Sequence, residues 1–399
     1  MDESCASGSP PCPPCVTLSI SADLTGQARA AYVHVPFCAH RCGYCDFTLV
    51  AGRDDLIDDY LAALEVELRS LGHPRQVDTL FFGGGTPTHL PADQLDRLLK
   101  MVLHWFEPTA DGEFSVEANP YGLDGEKVQA LARNGVNRVS LGVQSFDAAH
   151  LETLERDHRR DDIVAAMERL RGSSIRSVGI DLIFAVPGQT VDNWRSTLDQ
   201  AIALAPDHIS TYGLTFERGT AFWSRKLKGT LRPVPDETER GMYALAMDRL
   251  PEAGFQQYEI SNFARPGHRS RHNEVYWRAE SHYGVGPGAA AYLDGTRRLN
   301  HRSVTTWIRR TLAGQPAHGE TETLSPEDRA REGIMLGLRK VEGVERDRFA
   351  HQFGLDLDEL VGSTIQEMCG RGWLEDTGEA IRLTREGRFV ADTVIAEFL

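Results

Sequence analysis

The chain has 399 residues, of which 41% are apolar, and its formal net charge is −15. This length and apolar content predict a large buried core in one main domain with one or two smaller ones. The negative charge argues against a nucleic-acid backbone or an anionic membrane surface as a main partner, because either would repel the protein at long range. No apolar run could span a bilayer and the start lacks a signal-peptide pattern, so we expect a cytoplasmic protein without an integral membrane segment.

Residues 1–28 are rich in proline, serine and small side chains, which predicts a flexible N-terminal arm. The arm contains Cys5, Cys12 and Cys15. Cys12 and Cys15 have the spacing of a redox pair, but the prolines beside them argue against a thioredoxin-like site. We interpret the arm as functionally idle, with an accessory metal or heme contact through Cys12 as the alternative.

Three cysteines follow the first predicted strand at C-x3-C-x2-C spacing: Cys38, Cys42 and Cys45. Thiolates this close together bind soft metals, and a cuboidal iron–sulfur cluster held wholly by protein takes four cysteines. The next cysteine in the chain is the distant Cys369, so one iron would keep an open position, as a catalytic zinc does. The alternative is a structural zinc site with His34 or His40 as the fourth ligand.

From residue 31 to about residue 213, short β-branched or aromatic runs alternate with amphipathic helical stretches, including 58–71 and 92–106. This alternation indicates βα units around a parallel sheet. The predicted strands lie near residues 31–35, 79–82, 113–117, 138–142, 177–183 and 208–212. Six units make an open barrel, short of the closed eightfold form, so we predict an α/β fold with a partial (β/α)6 TIM-like barrel over residues 29–250.

Polar or glycine-rich segments stand at the carboxyl ends of these predicted strands. They contribute Cys38, Gly84, Gly85, Thr86, Glu117, Gln144 and Asp181. Because such barrels carry their chemistry at this rim, we expect these residues to surround one site. The glycine turn lacks the ending of a phosphate-binding loop and predicts close backbone approach to another ligand. Glu117 on its own could equally accept backbone N–H bonds.

The cysteine spacing after a strand resembles the radical S-adenosylmethionine superfamily. The sequence Tyr-Val-His-Val-Pro-Phe-Cys over residues 32–38 resembles a narrower branch, the oxygen-independent coproporphyrinogen III oxidases and the HemW-type heme chaperones. The oxidases carry a further cysteine two residues after the third, and Phe47 at that position resembles the chaperones. The resemblance implies a 4Fe-4S cluster on Cys38, Cys42 and Cys45, with S-adenosylmethionine on the open iron.

The same resemblance implies a set of residues that contact S-adenosylmethionine: Tyr32, Tyr44, Gly84, Gly85, Thr86, Glu117, Gln144, Arg156 and Asp181. In the family the glycine loop contacts the amino group of the methionine moiety. The carboxylates suit ribose hydroxyls or the sulfonium, while the amide and the guanidinium suit carbonyl and carboxylate groups. For the two tyrosines, ordinary packing is the alternative.

A polar and aromatic segment at residues 270–277 reads Ser-Arg-His-Asn-Glu-Val-Tyr-Trp. His272 is a candidate axial ligand for heme on chemistry alone, because neutral imidazole suits iron, although most such histidines are only hydrogen-bonded. His-Asn-x-x-Tyr-Trp also resembles a motif that HemW-type proteins associate with heme binding. We therefore interpret residues 251–323 as a connecting region that carries the heme motif.

Residues 324–399 are predicted to form helices followed by a short hairpin, with strands at 373–374 and 381–383. This block resembles the winged helix at the C-terminus of the same family. A DNA-reading role would need a basic face, whereas acidic residues outnumber basic ones here, so we interpret the block as a lid or docking module. We expect Cys369 to be a lone buried thiol.

Our leading hypothesis is a heme chaperone that carries a 4Fe-4S cluster with exchangeable S-adenosylmethionine, binds heme and passes it to an acceptor protein. A flavodoxin or ferredoxin is the expected kind of electron donor. The first alternative is an oxidase that converts coproporphyrinogen III to protoporphyrinogen IX, and Phe47 and His272 both speak against it. The second is a zinc- or cluster-sensing regulator that acts through residues 324–399.

Overall fold

A computed structural model of the protein describes residues 28–399, so the predicted arm with Cys5, Cys12 and Cys15 lies outside the described residues. In chain order the strands are β1 (Ala30–Val35), β2 (Phe37–Cys38), β3 (Val50–Ala51), β4 (Arg75–Gly84), β5 (Phe106–Ala118), β6 (Arg138–Gln144), β7 (Ser177–Phe184), β8 (His208–Gly213), β9 (Gln256–Gln257), β10 (Asn262–Ala264), β11 (Tyr283–Val285), β12 (Ala290–Leu293), β13 (Thr296–Asn300), β14 (His318–Thr323), β15 (Val344–Glu345), β16 (Leu374–Asp376) and β17 (Ala380–Leu383).

The helices alternate with the strands in the first two-thirds of the chain and dominate its end. They are α1 (Ile57–Arg69), α2 (Ala92–Trp105), α3 (Gly125–Arg133), α4 (Ala148–Thr153), α5 (Arg160–Arg171), α6 (Val191–Ala203), α7 (Ala221–Leu227), α8 (Asp236–Glu252), α9 (Arg271–Trp277), α10 (Val304–Leu312), α11 (Pro326–Gly337), α12 (Arg346–Phe353), α13 (Leu357–Gly370), α14 (Arg385–Phe389) and α15 (Ala391–Ala396). No helix within residues 28–399 combines the length and apolar character needed to cross a bilayer.

The main sheet has nine strands in the order β11-β1-β4-β5-β6-β7-β8-β10-β9. All six predicted strands are present as neighbours, and β1, β4, β5, β6, β7 and β8 run parallel. Residues from each of these six strands line one interior cavity, which requires the sheet to curve around it. The two edge strands, β11 and β9, do not pair with each other within the described chain. The partial α/β barrel that the sequence predicts is therefore confirmed.

Segments beyond residue 250 complete both edges of this sheet. Strand β11 adds in parallel to β1, while β10 and β9 add in antiparallel fashion to β8. Phe255, Phe263 and Trp307 belong to the same buried core as the barrel helices. The connecting region predicted over residues 251–323 therefore shares the sheet and the core of the barrel, and its short strands cover sheet edges that would otherwise be unpaired.

The last part of the chain forms a second core of its own. Strands β15, β17 and β16 make a small antiparallel sheet against α11, α12 and α13. The hairpin of β16 and β17 is the predicted wing, and its pairing joins Leu374 to Leu383. Helix α11 also contacts α9, so the C-terminal block packs directly on the segment that carries His272.

A buried carboxyl ties α1 to the far edge of the sheet. Glu67 accepts hydrogen bonds from the Gly286 backbone N–H at 2.9 Å and from Asn300 Nδ2 at 2.6 Å. Burial raises the pKa of Glu67 to about 7 despite these donors. Because the folded state holds a proton that the unfolded chain releases above about pH 4.5, this group's contribution to stability is present at low pH and is lost as the pH rises through 7.

Replacing Glu67 by Gln should remove this pH dependence. The amide stays neutral at every pH but can accept from the donors on one side only, so we expect Glu67→Gln to be about 1–3 kcal/mol less stable than wild type at pH 5 and this difference to shrink by about 1–3 kcal/mol at pH 8. Urea unfolding of wild type and Glu67→Gln at both pH values measures the effect. An equal difference between the two proteins at pH 5 and pH 8 would contradict this assignment.

Candidate functional site

The three cysteines of the C-x3-C-x2-C motif lie on a loop whose two ends are pinned together. Strand β2 pairs with β3 in parallel, joining Phe37 to Val50 and Cys38 to Ala51. The Cys45 backbone N–H donates to the Cys42 carbonyl at 3.0 Å, which makes a tight turn between the second and third cysteines. The loop therefore leaves and re-enters the fold at one point, beside the carboxyl end of β1.

A cavity of about 430 Å³ opens beside this loop. It is lined by all three cysteines and by most of the predicted rim residues: Cys38, Cys42, Cys45, Tyr44, Gly84, Gly85, Thr86, Glu117, Gln144, Arg156 and Asp181. The Tyr44 ring packs edge-on against Phe222 of α7 at a centroid distance of 6.1 Å. The structure thus brings together a set of residues spread over more than 140 positions of sequence, as the barrel topology predicts.

Burial favours the protonated form of two thiols of this loop, those of Cys38 and Cys45. It raises the pKa of Cys38 to about 11, although a hydrogen bond with Thr86 at 3.5 Å works in the opposite direction. Burial also raises the pKa of Cys45. Metal binding at these cysteines would release protons, since thiolates are the ligands.

Both histidines proposed for a zinc site hydrogen-bond a backbone carbonyl through Nε2, although His40 Nε2 also lies 3.7 Å from Cys42 Sγ. His34 Nε2 donates to the Thr48 carbonyl at 2.7 Å and its Nδ1 accepts from Tyr32 at 3.0 Å. His40 Nε2 donates to the Glu155 carbonyl. Across residues 28–399, no three His, Cys, Asp or Glu side chains converge on one ion position. The residues therefore do not form the zinc site of the alternative. The three cysteines of a cluster ligate different irons, so their sulfur atoms need not converge on one position.

The glycine loop after β4 lies against the cysteine loop with no room for side chains. A Cβ on Gly85 would lie 2.7 Å from the Phe37 carbonyl oxygen, and one on Gly84, whose φ is +109°, would lie 2.4 Å from the His34 ring. The Gly84 backbone N–H donates to Glu117 Oε2 at 3.0 Å. Glycine is required here because only a chain without Cβ atoms can approach β2 this closely.

A distortion of the sheet aims Gln144 into the cavity. The pairing register of β6 with β7 shifts between Gly142 and Gln144, which marks a bulge at the end of β6. Gln144 has φ +62°, in the left-handed region that a side chain rarely adopts. Such strain persists at sites where the surrounding structure fixes it, and here it turns a side chain at the strand end toward the cavity.

Arg156 links the cysteine loop to the rim and keeps one donor unused. Its Nη2 donates to Asn119 Oδ1 at 2.6 Å and to the Gly142 carbonyl at 3.0 Å, while its Nη1 lies 3.7 Å from Cys42 Sγ. Its Nε is buried and has no partner. A buried, unpaired guanidinium N–H is costly unless a ligand accepts from it, so this donor suits a carboxylate in the cavity.

Replacing Arg156 by Lys should weaken the binding of a carboxylate ligand in this cavity by about ten-fold or more, because one ammonium cannot replace the guanidinium fork. Calorimetric titration of the reconstituted protein with S-adenosylmethionine measures this loss. Arg160→Lys on α5 is the matched control, because the exposed guanidinium of Arg160 bonds to Gln200 on the surface and lines no part of this cavity. Equal loss in both variants would contradict the role of Arg156.

Two carboxyls share the inner wall of the cavity. Ser140 donates to both oxygens of Asp181, at 2.9 and 3.0 Å. Burial together with the charge of Asp181 raises the pKa of Glu117 to about 8, and burial raises the pKa of Asp181 as well. At neutral pH the pair therefore carries less than two negative charges, and a protonated Glu117 can donate as well as accept hydrogen bonds.

Tyr32 and His272 do not line the cysteine cavity. Both line the interior cavity of the barrel, where the two rings lie 6.5 Å apart and Phe81 stacks on each of them. His272 is only 1% exposed. Its Nδ1 bonds with Thr79 Oγ1 at 2.9 Å and its Nε2 with the Tyr276 hydroxyl at 2.8 Å.

Because both ring nitrogens of His272 are engaged, an iron could reach its Nε2 only by displacing Tyr276. The role of His272 as an axial ligand therefore stays a prediction, and in the described conformation the histidine holds the Tyr276 ring in place. The same applies to Tyr32 as a contact of S-adenosylmethionine, since its hydroxyl is directed at His34 rather than at the cavity.

Comparison with known proteins shows the family to which this chain belongs. The sequence profile of the Radical SAM superfamily matches residues 32–201, and that of the HemN C-terminal domain matches residues 324–390. The protein named heme chaperone HemW from Bacillus subtilis is 38% identical over 376 residues, covering 93% of this chain and 99% of its own. The chain belongs to the HemW family. The relative of the same name from Mycobacterium tuberculosis is 35% identical over 95% of this chain and 96% of its own.

A solved structure extends the likeness of this HemW-family chain to the fold. The coproporphyrinogen III oxidase HemN from Escherichia coli superposes with a TM-score of 0.82, covering 93% of this chain and 90% of that one. Its sequence identity is 23%, so this likeness concerns the fold alone. The zebrafish relative, named radical S-adenosyl methionine domain-containing protein 1, mitochondrial, is 32% identical over 92% of this chain and 86% of its own.

Sequence reasoning missed two residues of this HemW-family site, Asn119 and Ser140. Asn119 lines the cavity, accepts from Arg156 and donates to Thr86 Oγ1 at 3.2 Å, so it connects the rim of β5 to the glycine loop. The signal was available, because Asn119 follows Glu117 at a strand end. Ser140 could have been found in the same way, because it stands in the strand that ends at Gln144.

Proposed function

We propose that the protein is a heme chaperone that carries a 4Fe-4S cluster with exchangeable S-adenosylmethionine and transfers heme to an acceptor protein. The observation that carries the proposal is the match to relatives named heme chaperone HemW over nearly their whole length. Phe47 supports it further: it lines the cysteine cavity, is 57% exposed, and occupies the position where a fourth nearby cysteine would stand.

The residues around the cavity fit a cluster held by Cys38, Cys42 and Cys45. When bound, such a cluster supplies one-electron chemistry and an open iron position for the methionine moiety. The protein's own contribution is binding and orientation. The glycine loop offers its backbone at close range, and the unused Nε–H of Arg156 is a donor for a carboxylate.

The inner wall of the same cavity suits the rest of S-adenosylmethionine. Glu117 and Asp181 supply carboxyl oxygens for ribose hydroxyls, and Gln144 supplies an amide for carbonyl or amino groups. Tyr44 provides an aromatic face beside the cysteines. We infer that electrons reach this cluster from a small redox protein such as a flavodoxin or ferredoxin.

We propose that the segment around His272 contributes to heme binding, with His272 in a supporting role and not as the axial ligand. His272 holds Tyr276 through its Nε2, and we infer that it supports heme binding by positioning this ring. We also infer a cytoplasmic location, because a cluster held by thiolates needs a reducing compartment. The acidic chain favours no nucleic-acid partner.

Titration of the reconstituted protein with ferric heme under anaerobic conditions tests this function. We expect saturation at one heme per chain and a Soret band shifted from that of free heme, with affinity reduced about ten-fold by His272→Ala. His104→Ala, which removes an exposed histidine on α2, controls for nonspecific ligation. Heme uptake that never saturates, or that both variants lower equally, would contradict the proposal.

A further inference from the structure

A third cavity, of about 330 Å³, lies beyond the barrel interior as seen from the cysteines. Glu117 and Asp181 line both the cysteine cavity and the interior cavity, while Tyr32 and Tyr276 line both the interior cavity and this third one. The third cavity thus stands in series with the other two. Its volume is in the range of small-molecule and cofactor sites. We call it the outer cavity.

The walls of the outer cavity combine aliphatic and aromatic side chains with several charged ones. Ala279, Ala290, Ala291 and Leu336 supply small or aliphatic surface, and Tyr276 and Tyr292 supply rings. Strand β12, which carries two of the alanines, forms a three-stranded sheet with β13 and β14, whereas Leu336 belongs to α11 of the C-terminal block. The cavity therefore offers apolar and aromatic surface to a ligand that contacts both of these elements.

His282 presents a free ring nitrogen in this cavity. Its Nδ1–H donates to the Glu280 carbonyl at 3.2 Å, which fixes the tautomer with the lone pair on Nε2. Within residues 28–399 the Nε2 has no hydrogen-bond partner. Metal-binding histidines characteristically donate their second ring N–H to a carbonyl or carboxylate in this way. Burial lowers the pKa of His282 to about 4, so the ring is neutral at pH 7.

Arg329 brings an unpaired cation to the same cavity. Its guanidinium forms no ion pair in the described part of the chain, and its Nε is buried without a partner. The other charged side chains of the wall are already satisfied. Arg297 pairs with Glu322 at 3.1 Å and Glu332 at 2.6 Å, and Glu280 pairs with Arg348 at 2.8 Å.

We propose that the outer cavity binds heme, with His282 Nε2 as an axial ligand of the iron and Arg329 as the partner of a propionate. This inference rests on the proposed function, and it assigns the axial ligand of the heme iron to a residue other than His272. It combines three features that an iron porphyrin needs: apolar and aromatic surface, an imidazole lone pair and a cation. His272 is then a positioning residue. Its Nε2 hydrogen-bonds the Tyr276 hydroxyl, and the Tyr276 ring packs against the His282 ring at a centroid distance of 4.7 Å.

Four variants of the full-length reconstituted chain test the assignment by titration with ferric heme. We expect His282→Ala to weaken heme binding more than about ten-fold and to remove the spectral signature of histidine coordination. Free imidazole should restore that signature in His282→Gly, which leaves space for it. His351→Ala on α12 removes an exposed histidine and should change neither quantity. His272→Ala should weaken binding but keep the signature of histidine coordination.

The propionate contact has a readout of its own. Arg329→Gln should lower affinity for heme about ten-fold while leaving affinity for heme dimethyl ester unchanged, because the ester has no carboxylate to pair. Thermal unfolding of each variant identifies any that fails to fold, and imidazole rescue then decides for His282. If wild type binds no heme, the proposed function fails. If wild type binds heme and only His272→Ala loses the coordination signature, the function stands and this assignment is overturned.

Discussion

Replacing Cys38, Cys42 and Cys45 together by alanine should reduce the iron content of the reconstituted protein to below about a tenth of the wild-type value. The three thiols line one cavity, and the described chain offers no fourth cysteine near them, so no other ligand set can hold a cuboidal cluster. Binding of S-adenosylmethionine should fall with the iron, because its amino and carboxylate groups would lose the open iron position. Iron and sulfide analysis with visible absorption spectroscopy measures the first effect, and calorimetry measures the second.

Cys369→Ala is the matched control for the cysteine variant. Cys369 lies on α13 in the C-terminal block, where it packs at the edge of the second core. Its removal should leave iron and sulfide at the wild-type level. Zinc bound in place of iron in the wild-type protein, or iron retained by the triple variant, would contradict the cluster assignment.

A single methyl group at Gly85 should have the second largest effect. The Cβ of Gly85→Ala would lie 2.7 Å from the Phe37 carbonyl oxygen and 3.0 Å from the Phe37 nitrogen, both fixed backbone atoms of β2. The glycine loop or the strand that leads to Cys38 must then move. We expect a destabilisation of about 1–3 kcal/mol and a loss of S-adenosylmethionine affinity of at least about ten-fold.

Gly125→Ala separates this effect from the general consequences of replacing glycine. Gly125 is the first residue of α3, and no atom lies within 4 Å of a Cβ built there. This variant should be as stable as wild type or slightly more so, with unchanged affinity. Equal behaviour of the two variants in urea unfolding and in titration would show that the contact between Gly85 and β2 does not matter.

Much of the barrel and of its rim can be predicted from sequence for one reason. The strands 79–82 and 177–183 are apolar runs between amphipathic helices, and this alternation specifies parallel βα units. Once the units are parallel, their carboxyl ends must share an edge. Residues as far apart as Cys38 and Asp181 could therefore be assigned to one site, and both line the cysteine cavity.

The parts that sequence reasoning did not reach lack such a pattern. Strands β9, β10 and β11 have two or three residues each, too few for a period, so their pairing with the sheet edges had no signal. The outer cavity combines β12 with α11, which residues 294–325 separate in the sequence, and only tertiary packing brings the two elements together. Both ring nitrogens of His272 are engaged because the residue lies inside the barrel, and no sequence motif indicates that position.

The most direct test of the account compares heme uptake with coproporphyrinogen III turnover on one reconstituted sample. The protein should bind one heme per chain and should form no detectable protoporphyrinogen IX when S-adenosylmethionine and a reductant are supplied. Pre-loading the chain with heme should then allow its transfer to an apo acceptor protein. Conversion of coproporphyrinogen III without saturable heme binding would contradict the chaperone function and establish an oxidase in its place.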